Sequence, residues 1–354
     1  MWERFHTRGH NSEVPGGGDG VSGIGEVARR AGVSKSTASR ALSGRGYVSD
    51  GTRERVERAA AEMGYVVSTN AASLVTGQTR NVGVVIPFIN RWFFAEVLEG
   101  IESALIAAGY DLTLYRLSPY ADLRRRVFDY FLVRKRVDAV IAVGIALAPN
   151  EVALLRSLKK PIVGIGGDVT GMSTISIDDG QAARMATEHV IGLGHTRVMH
   201  FGGEQEEQLD FRVPDSRLTG FRQCLAEAGI DGQDDFRATP FSIQGGFATA
   251  IAVLADPRTR PTAVVSGCDE IAIGVILAAR KLGITVPGQL SVVGIDDHDL
   301  AELFGLTTVR QEPGKQGAAA VATVLAELAE PTPSRATRAP VSLVVRSSTT
   351  APAA

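Results

Sequence analysis

Between Gly32 and Leu42 the chain reads GVSKSTASRAL, four hydroxyls and two cations within eleven residues. Such side chains donate hydrogen bonds to phosphate oxygens and to base edges. On a helix begun at Ser34, a good N-cap type, steps of about 100° per residue bring Lys35, Ser36, Ser39 and Arg40 onto one face. Ala38, Ala41 and Leu42 fall on the other. The first face carries no acid, whereas a solvated surface helix mixes both signs. Other residues invite different chemistry. IDDG (177–180) and IDDHD (295–299) place paired acids just after apolar strands. Adjacent acids diverge on an extended chain, so each suits a helix cap or a ligand hydrogen bond better than a shared acid/base role. GIGG (164–167) is not GxGxxG, and Gly314-Lys315 lacks the upstream glycine of a phosphate loop. His189, His195 and His200 are unevenly spaced, and Cys224 and Cys268 form no CxxC. No nucleophile–base pair stands out. The reading is therefore not an enzyme, with no cofactor and no metal.

These residues need elements to hold them. IGEVARRAG (24–32) supplies a helix with Val27, Ala28 and Ala31 as its apolar stripe and Gly32 as a tight turn. Two short helices around a glycine turn, the second rich in donors, suit a helix-turn-helix; an ordinary helical hairpin in a bundle has the same local pattern. GYVSDGTRERVERAAAEMGYVV adds a third helix from Ser49 or Asp50, with Val56, Ala59, Ala60 and Met63 at core spacing and Gly64 as its stop. Beyond it, strand-like runs alternate with helices. NVGVVIP, YDLTLYR, VDAVIAVG and KPIVGIG are separated by helical stretches near 94–108, 121–136 and 150–159. TISID, RVMHFGG, TAVVSG and LSVVGID follow, with helices near 180–192, 216–228, 246–255 and 269–282. Near-continuous apolar strands between helices indicate parallel sheets covered on both faces. Two such series predict two lobes, with a cleft at the carboxyl ends of their strands.

The 354 residues suffice for a small head and a two-lobed body. The net charge of −2 is uneven: residues 1–80 hold 11 Lys/Arg against 8 Asp/Glu, the remainder 26 against 31. A mildly basic head on an acidic body favours local attraction to phosphates. No run approaches the ~18 apolar residues of a membrane span, and MWERFHTRGHNSEVPGGGDG lacks the apolar core of a secretory signal. It reads as a flexible tail, and a cytoplasmic protein is the default expectation.

One ordered set of motifs is far more specific. IGEVARRAGVSKSTASRALSGRGYVSDGTRERVERAAAEMGY, then Ser73-Leu74, Thr76-Gly77 and VGVVIP, resembles the lac repressor family (LacI/GalR) of bacterial transcription regulators. The resemblance covers about 22–346. It implies an α/β chain: an N-terminal three-helix helix-turn-helix headpiece plus hinge, then a two-lobed body with parallel sheets like that of periplasmic sugar-binding proteins. The expected divisions are a tail at 1–21, the DNA-binding domain at 22–66, a hinge at 67–80 and an effector-binding and dimerisation domain at 81–346. Within the last, the N-lobe takes 81–175 and 312–340, and the C-lobe 176–311 and 341–346, with crossings near 175, 311 and 340. A tail follows at 347–354.

The resemblance also assigns roles. Ser34, Lys35, Ser36, Thr37, Ser39 and Arg40 become DNA contacts, and Leu74 matches the leucine that the family wedges into the minor groove; the alternative for Leu74 is packing on the body. Arg217 of SRLTGF matches an arginine that reaches effector hydroxyls or carboxylates, and Asp296 an acid that accepts from the ligand. Phe241 stands at an aromatic wall position, Gln311 at a lobe crossing, and Trp92, Phe93 and Phe94 beyond the first strand. Core packing is the alternative for the phenylalanines, and an interlobe salt bridge or a cap for Arg217 and Asp296. Several positions depart from the family. Cys268 replaces an asparagine, Arg91-Trp92-Phe93-Phe94 replaces Asn-Pro-Phe-Phe, and the hinge has Val67-Ser68 for Pro-Asn and Ala72 for an arginine. A cation with a large aromatic suggests a bulkier or partly anionic effector. The expected protein is a DNA-binding regulator, a repressor, working as a homodimer on a palindromic operator under a small-molecule effector such as a sugar. The alternatives are a transport-class sugar-binding protein and an NAD- or sugar-modifying enzyme.

Overall fold

The computed structural model describes residues 23–43, 46–65, 78–117, 121–128, 137–145, 147–157, 159–167, 171–203, 212–232 and 235–353. They group into two compact units, Met1–Gln78 and Thr79–Ala354. In the first, α1 (Ile24–Ala31), α2 (Lys35–Ser43) and α3 (Asp50–Glu62) enclose a core of Val27, Ala28, Ala31, Ala38, Ala41, Val56, Ala59 and Ala60. Alanines dominate because three short helices must approach closely. Gly32 turns the chain at φ 67°, a left-handed conformation that glycine adopts without a Cβ clash. Arg53 donates to the Ala41 carbonyl near the end of α2 (3.0 Å), and Arg30 pairs with Glu62 (3.0 Å), tying α3 to its neighbours.

The second unit holds two six-stranded sheets. In the N-lobe, β1 (Asn81–Ile86), β2 (Asp111–Arg116), β3 (Ala139–Val143), β4 (Ile162–Ile165), β5 (Ser173–Ser176) and β11 (Ala336–Arg338) run in the order β11-β5-β4-β3-β1-β2, all pairs parallel. In the C-lobe, β6 (Val198–Gly202), β7 (Phe236–Ala238), β8 (Ala263–Ser266), β9 (Ser291–Asp296), β10 (Thr307–Arg310) and β12 (Ser342–Val344) run β12-β10-β9-β8-β6-β7. Only the edge strand β12 is antiparallel. The helices are α4 (Trp92–Ala107), α5 (Ala121–Arg126), α6 (Pro149–Ser157), α7 (Asp179–Gly192), α8 (Val213–Glu227), α9 (Ile243–Leu254), α10 (Asp269–Lys281) and α11 (Pro313–Ala329). Both faces of each sheet are covered, which explains the unbroken apolar strands. Val82, Val84 and Ile86 pack on α4 and α11, while Val85 points to the opposite core. The chain passes between lobes at 177–178, 311–312 and 339–341.

Glycines set the spacing of the helix pairs. A methyl at Gly100 of α4 would overlap the Gly314 carbonyl of α11, and one at Gly317 would overlap the Val97 carbonyl. The same holds for Gly246 and Gly274 between α9 and α10. The strands β7, β10, β11 and β12 are not expected from the sequence, since three or four residues are too few for periodicity to register; the 17-residue helix α11 is not expected either, although it is long enough to show a period. The helix expected over 121–136 is observed at Ala121–Arg126, and 129–136 lie outside the described residues. The C-terminus corrects another expectation. Instead of a free tail from 347, Ser348 is buried, donating to the Val292 carbonyl (2.6 Å) and accepting from the Thr307 amide (2.8 Å). The Thr350 carbonyl accepts from His195 Nε2 (2.8 Å). Small hydroxyl side chains satisfy backbone groups of β9 and β10 here, a role that composition does not announce.

Candidate functional site

The exposed face of α2 is built from its cap outward. Ser34 Oγ accepts the Thr37 amide (3.1 Å) and lies within hydrogen-bond reach of the Ser36 and Thr37 hydroxyls (2.8 Å each), so Ser34 is engaged as the N-cap. Ala38 and Ala41 point inward, Thr37 is half-buried, and Lys35, Ser36, Ser39 and Arg40 are exposed together. Arg29 and Arg30 are paired with Glu26 and Glu62. Among the described residues Lys35 and Arg40 have no such partner, leaving their charges available to an external anion. Sequence reasoning passed over Tyr47. It is 93% exposed in the turn before α3, beside Gly46, whose backbone lies against the Arg40 side chain. An aromatic in a Gly-Tyr turn between two helices was the available signal. Leu74 and the hinge positions 67, 68 and 72 lie outside the described residues.

In the second unit a cavity of about 410 Å³ opens between the lobes at the carboxyl ends of their strands. The N-lobe contributes Phe88, Arg91, Phe93 and Phe94 from the loop after β1 and the first turn of α4, and Gln316 from α11. The rings are fixed: Phe94 packs edge-on to Phe88 (5.7 Å) and Phe93 (5.4 Å) and lies on Gly144. The Arg91 guanidinium sits over the Phe88 ring at 3.6 Å. The C-lobe contributes Asp179, Arg217, Phe241, Cys268, Glu270 and Asp296, and the crossing segment Gln311. The Phe241 ring lies against Gly203, where a side chain would displace it.

Hydrogen bonds fix the polar groups. Arg217, buried on α8, pairs with Asp179 at the start of α7 (2.7 Å) and donates to the Gly267 carbonyl. Asp296 ends β9 with φ 135°, followed by Asp297 at 60°, two strained residues in succession. Asp297 is held by Arg310 (2.6 Å) and Arg346 (2.7 Å). Asp296 accepts from Gln311 Nε2 (2.7 Å), and Gln311 Oε1 accepts from Gln316 Nε2 (2.9 Å). Behind it, buried Asp269 accepts from the Thr308 hydroxyl (2.6 Å) and the His298 amide (2.9 Å). Burial pushes the Asp179, Asp269 and Asp296 carboxyls above the usual range, with Arg217 opposing at Asp179 and Asp296. Burial and then Asp296 push Glu270 up to about 6. Burial also raises the Cys268 thiol well above its ordinary value, so it is an apolar wall rather than a nucleophile.

Trp92 does not join this group. As the first residue of α4 it diverges from Phe93 and stacks on His298 of the C-lobe, ring centroids 4.9 Å apart at 25°. Its indole Nε1 is buried with no partner among the described residues. The expectation that Trp92 lines the cavity is therefore corrected: it bridges the lobes beside it. Arg217 and Asp296 are not joined in an interlobe salt bridge, since the Arg217 partner Asp179 belongs to the same lobe. Sequence reasoning missed Asp179, Glu270 and Gln316. Asp179 stood in a noted acid pair, but nothing local ties Glu270 or Gln316 to the cavity. Among the described residues no cluster suits a metal ion, and no helix is long and apolar enough to cross a membrane.

Comparison with known proteins agrees with this architecture. Residues 23–68 match the model for bacterial regulatory proteins of the lacI family, and 187–349 that for a periplasmic binding protein-like domain. The HTH-type transcriptional repressor PurR of Vibrio parahaemolyticus is 31% identical over 304 residues, 83% of this chain and 88% of that protein. The chain belongs to the lacI family. This lacI-family chain is thus a DNA-binding transcriptional regulator rather than an enzyme, and its matched head separates it from transport-class binding proteins. The lac repressor dimer bound to operator and the anti-inducer ONPF superposes with a TM-score of 0.83 at 25% identity, covering 93% of this regulator and 99% of that chain. The CelR–cellobiose complex gives 0.68 at 26%, covering 92% and 99%.

Proposed function

We propose that this regulator is a repressor that binds a palindromic operator as a homodimer, and that a sugar or sugar derivative in the interlobe cleft sets its operator affinity. The observation that carries this reading is the buried chain Gln316–Gln311–Asp296, which runs from N-lobe helix to C-lobe strand. A ligand that bonds Asp296 touches a group held by both lobes, and so binds one lobe arrangement better than another. That differential affinity is what control requires. Lys35, Ser36 and Arg40 face base edges, Ser34, Thr37 and Ser39 serve phosphates or the cap, and Tyr47 extends the contact beside Arg40. Leu74 in the hinge enters the minor groove. Phe93, Arg217, Phe241, Cys268, Asp296 and Gln311 form the effector pocket, with Asp179 and Gln316 added. The protein acts in the cytoplasm, with the chromosome. The related lac repressor and CelR complexes, with operator and with cellobiose, support both halves of the proposal.

A thermal-shift screen across sugars identifies a binder, because a ligand stabilises the fold by mass action. Operator affinity is then measured with and without it. Arg217→Ala and Asp296→Asn are expected to lose the ligand response while ligand-free operator affinity stays within about threefold, under 1 kcal/mol. A response retained in both variants removes these residues from the pocket.

A further inference from the structure

The described lining of the cleft carries more acidic than basic side chains: three carboxylates, Asp179, Glu270 and Asp296, and two guanidiniums, Arg91 and Arg217. Arg217 is committed to Asp179 and the Gly267 carbonyl. Arg91 lies over the Phe88 ring and makes no ion pair with a described carboxylate. Glu270 forms no hydrogen bond or ion pair with the described residues, and it faces Arg91 from the opposite lobe. Asp296 accepts one hydrogen bond from a side chain, the uncharged amide of Gln311, beside the Asp269 backbone at the start of α10 and the more distant Arg217. Counted over the described lining, with Arg91 set against one of these two acids and Arg217 acting on both Asp179 and Asp296, carboxylates outnumber guanidiniums and leave an excess of one negative charge. A lobe closing over a neutral ligand would bury it, and an unpaired charge taken out of water is costly.

The surroundings of that charge are suited to one class of ligand. Phe93, Phe94 and Phe241 present rings into the same cavity as Glu270 and Asp296. Aromatic faces attract a cation through their quadrupoles, and a carboxylate accepts from an ammonium group in a charge-assisted hydrogen bond. The two together recognise an organic cation better than either alone. Gln311 and Gln316 supply neutral amides for hydroxyls in the same cavity.

We infer that the effector is a monocation on a hydroxyl-bearing skeleton, of the amino-sugar class, with its ammonium group between Glu270 and Asp296. The inference rests on the proposed reading of the cleft as a sugar site. It replaces the partly anionic effector that Arg91-Trp92 suggests in sequence, because Trp92 leaves the cavity and Arg91 stacks on Phe88.

The test uses the full chain and three matched probe sets: the hexose, the 2-amino-2-deoxyhexose and the uronate of the gluco, galacto and manno series. Thermal shift and titration calorimetry at neutral pH read each Kd. In at least one series the amine is expected to bind about tenfold or more tightly than its parent hexose, the factor given by 1.4 kcal/mol of differential binding. Glu270→Gln is expected to shrink that preference by a similar factor. A hexose or uronate binding as tightly as its amine, or a preference unchanged in Glu270→Gln, overturns the inference and leaves the sugar reading standing. No binding by any probe at millimolar concentration overturns both.

Discussion

Two residues show how environment decides what a side chain does. Arg40 is a long cation on an exposed face with no ion-pair partner among the described residues, so its five donors are open to an external acceptor. Arg40→Ala is expected to cost roughly 1–3 kcal/mol on the cognate operator and to relax preference at one base pair. Titrations with operator and random DNA check this; equal losses on both would mean that Arg40 grips phosphate alone. His200 lies at the other extreme, stacked between Phe221 (5.2 Å) and Phe236 (6.0 Å) and fully buried. Its Nδ1 donates to the Val265 carbonyl (2.9 Å), and its buried Nε2 has no partner among the described residues, so the ring is neutral. Burial lowers its pKa from 6.5 to about 4. The unfolded chain takes up this proton below about 6.5 and the folded one does not, so stability falls as pH drops through that window and levels off near 4. The loss is roughly 3 kcal/mol across the window. Urea midpoints from pH 4 to 7 should show a shallower slope for His200→Phe than for the wild type; equal slopes would assign the acid sensitivity elsewhere.

Among elements, the helix pairs are the sensitive joints. Gly100 and Gly317 bring α4 and α11 together backbone to backbone, on the helix that carries Phe93 and Phe94 and the one that carries Gln316. Gly100→Ala forces the Gly314 carbonyl aside. Overpacking of this kind costs about 1–3 kcal/mol, to be read as a lower unfolding midpoint of the body. Gly192, in the last turn of α7 with open space around it, is the control: Gly192→Ala should be neutral or gain up to about 1 kcal/mol in helix propensity. Equal effects at both positions would mean that propensity, not close approach, governs these glycines. The Trp92–His298 stack is a second joint, made by the tip of α4 against the loop after β9.

At the scale of the whole molecule, paired heads on a two-fold axis require a palindromic site. If Leu74 enters a central step it must unstack it, at a few kcal/mol, so that step should be a readily deformed pyrimidine–purine one. Leu74→Ala is expected to lower both operator affinity and DNA bending, measured by gel phasing on the same fragment. Wild-type bending by the variant would rule out the wedge and favour packing of Leu74 on the body.

The amino-acid pattern by itself determined whatever is local. A cap residue, a 3.6-residue period and a glycine turn gave α1 to α3 and the exposed face of α2, because helix geometry relates each residue to its neighbours three and four away. Continuous apolar strands announced sheets buried on both sides, and two series of them announced two lobes. The cleft was another matter. Arg217 meets an acid 38 residues earlier, and Asp269 a threonine 39 later. Asp296 reaches Gln316 only through Gln311. Trp92 and Phe93 are neighbours in sequence, yet one stacks across the lobes while the other faces the cavity. These pairings are set by how two sheets and their covering helices come to rest against each other. No local period encodes the distance between groups brought together from separate elements, so only the tertiary structure could decide which groups in the cleft are paired with which.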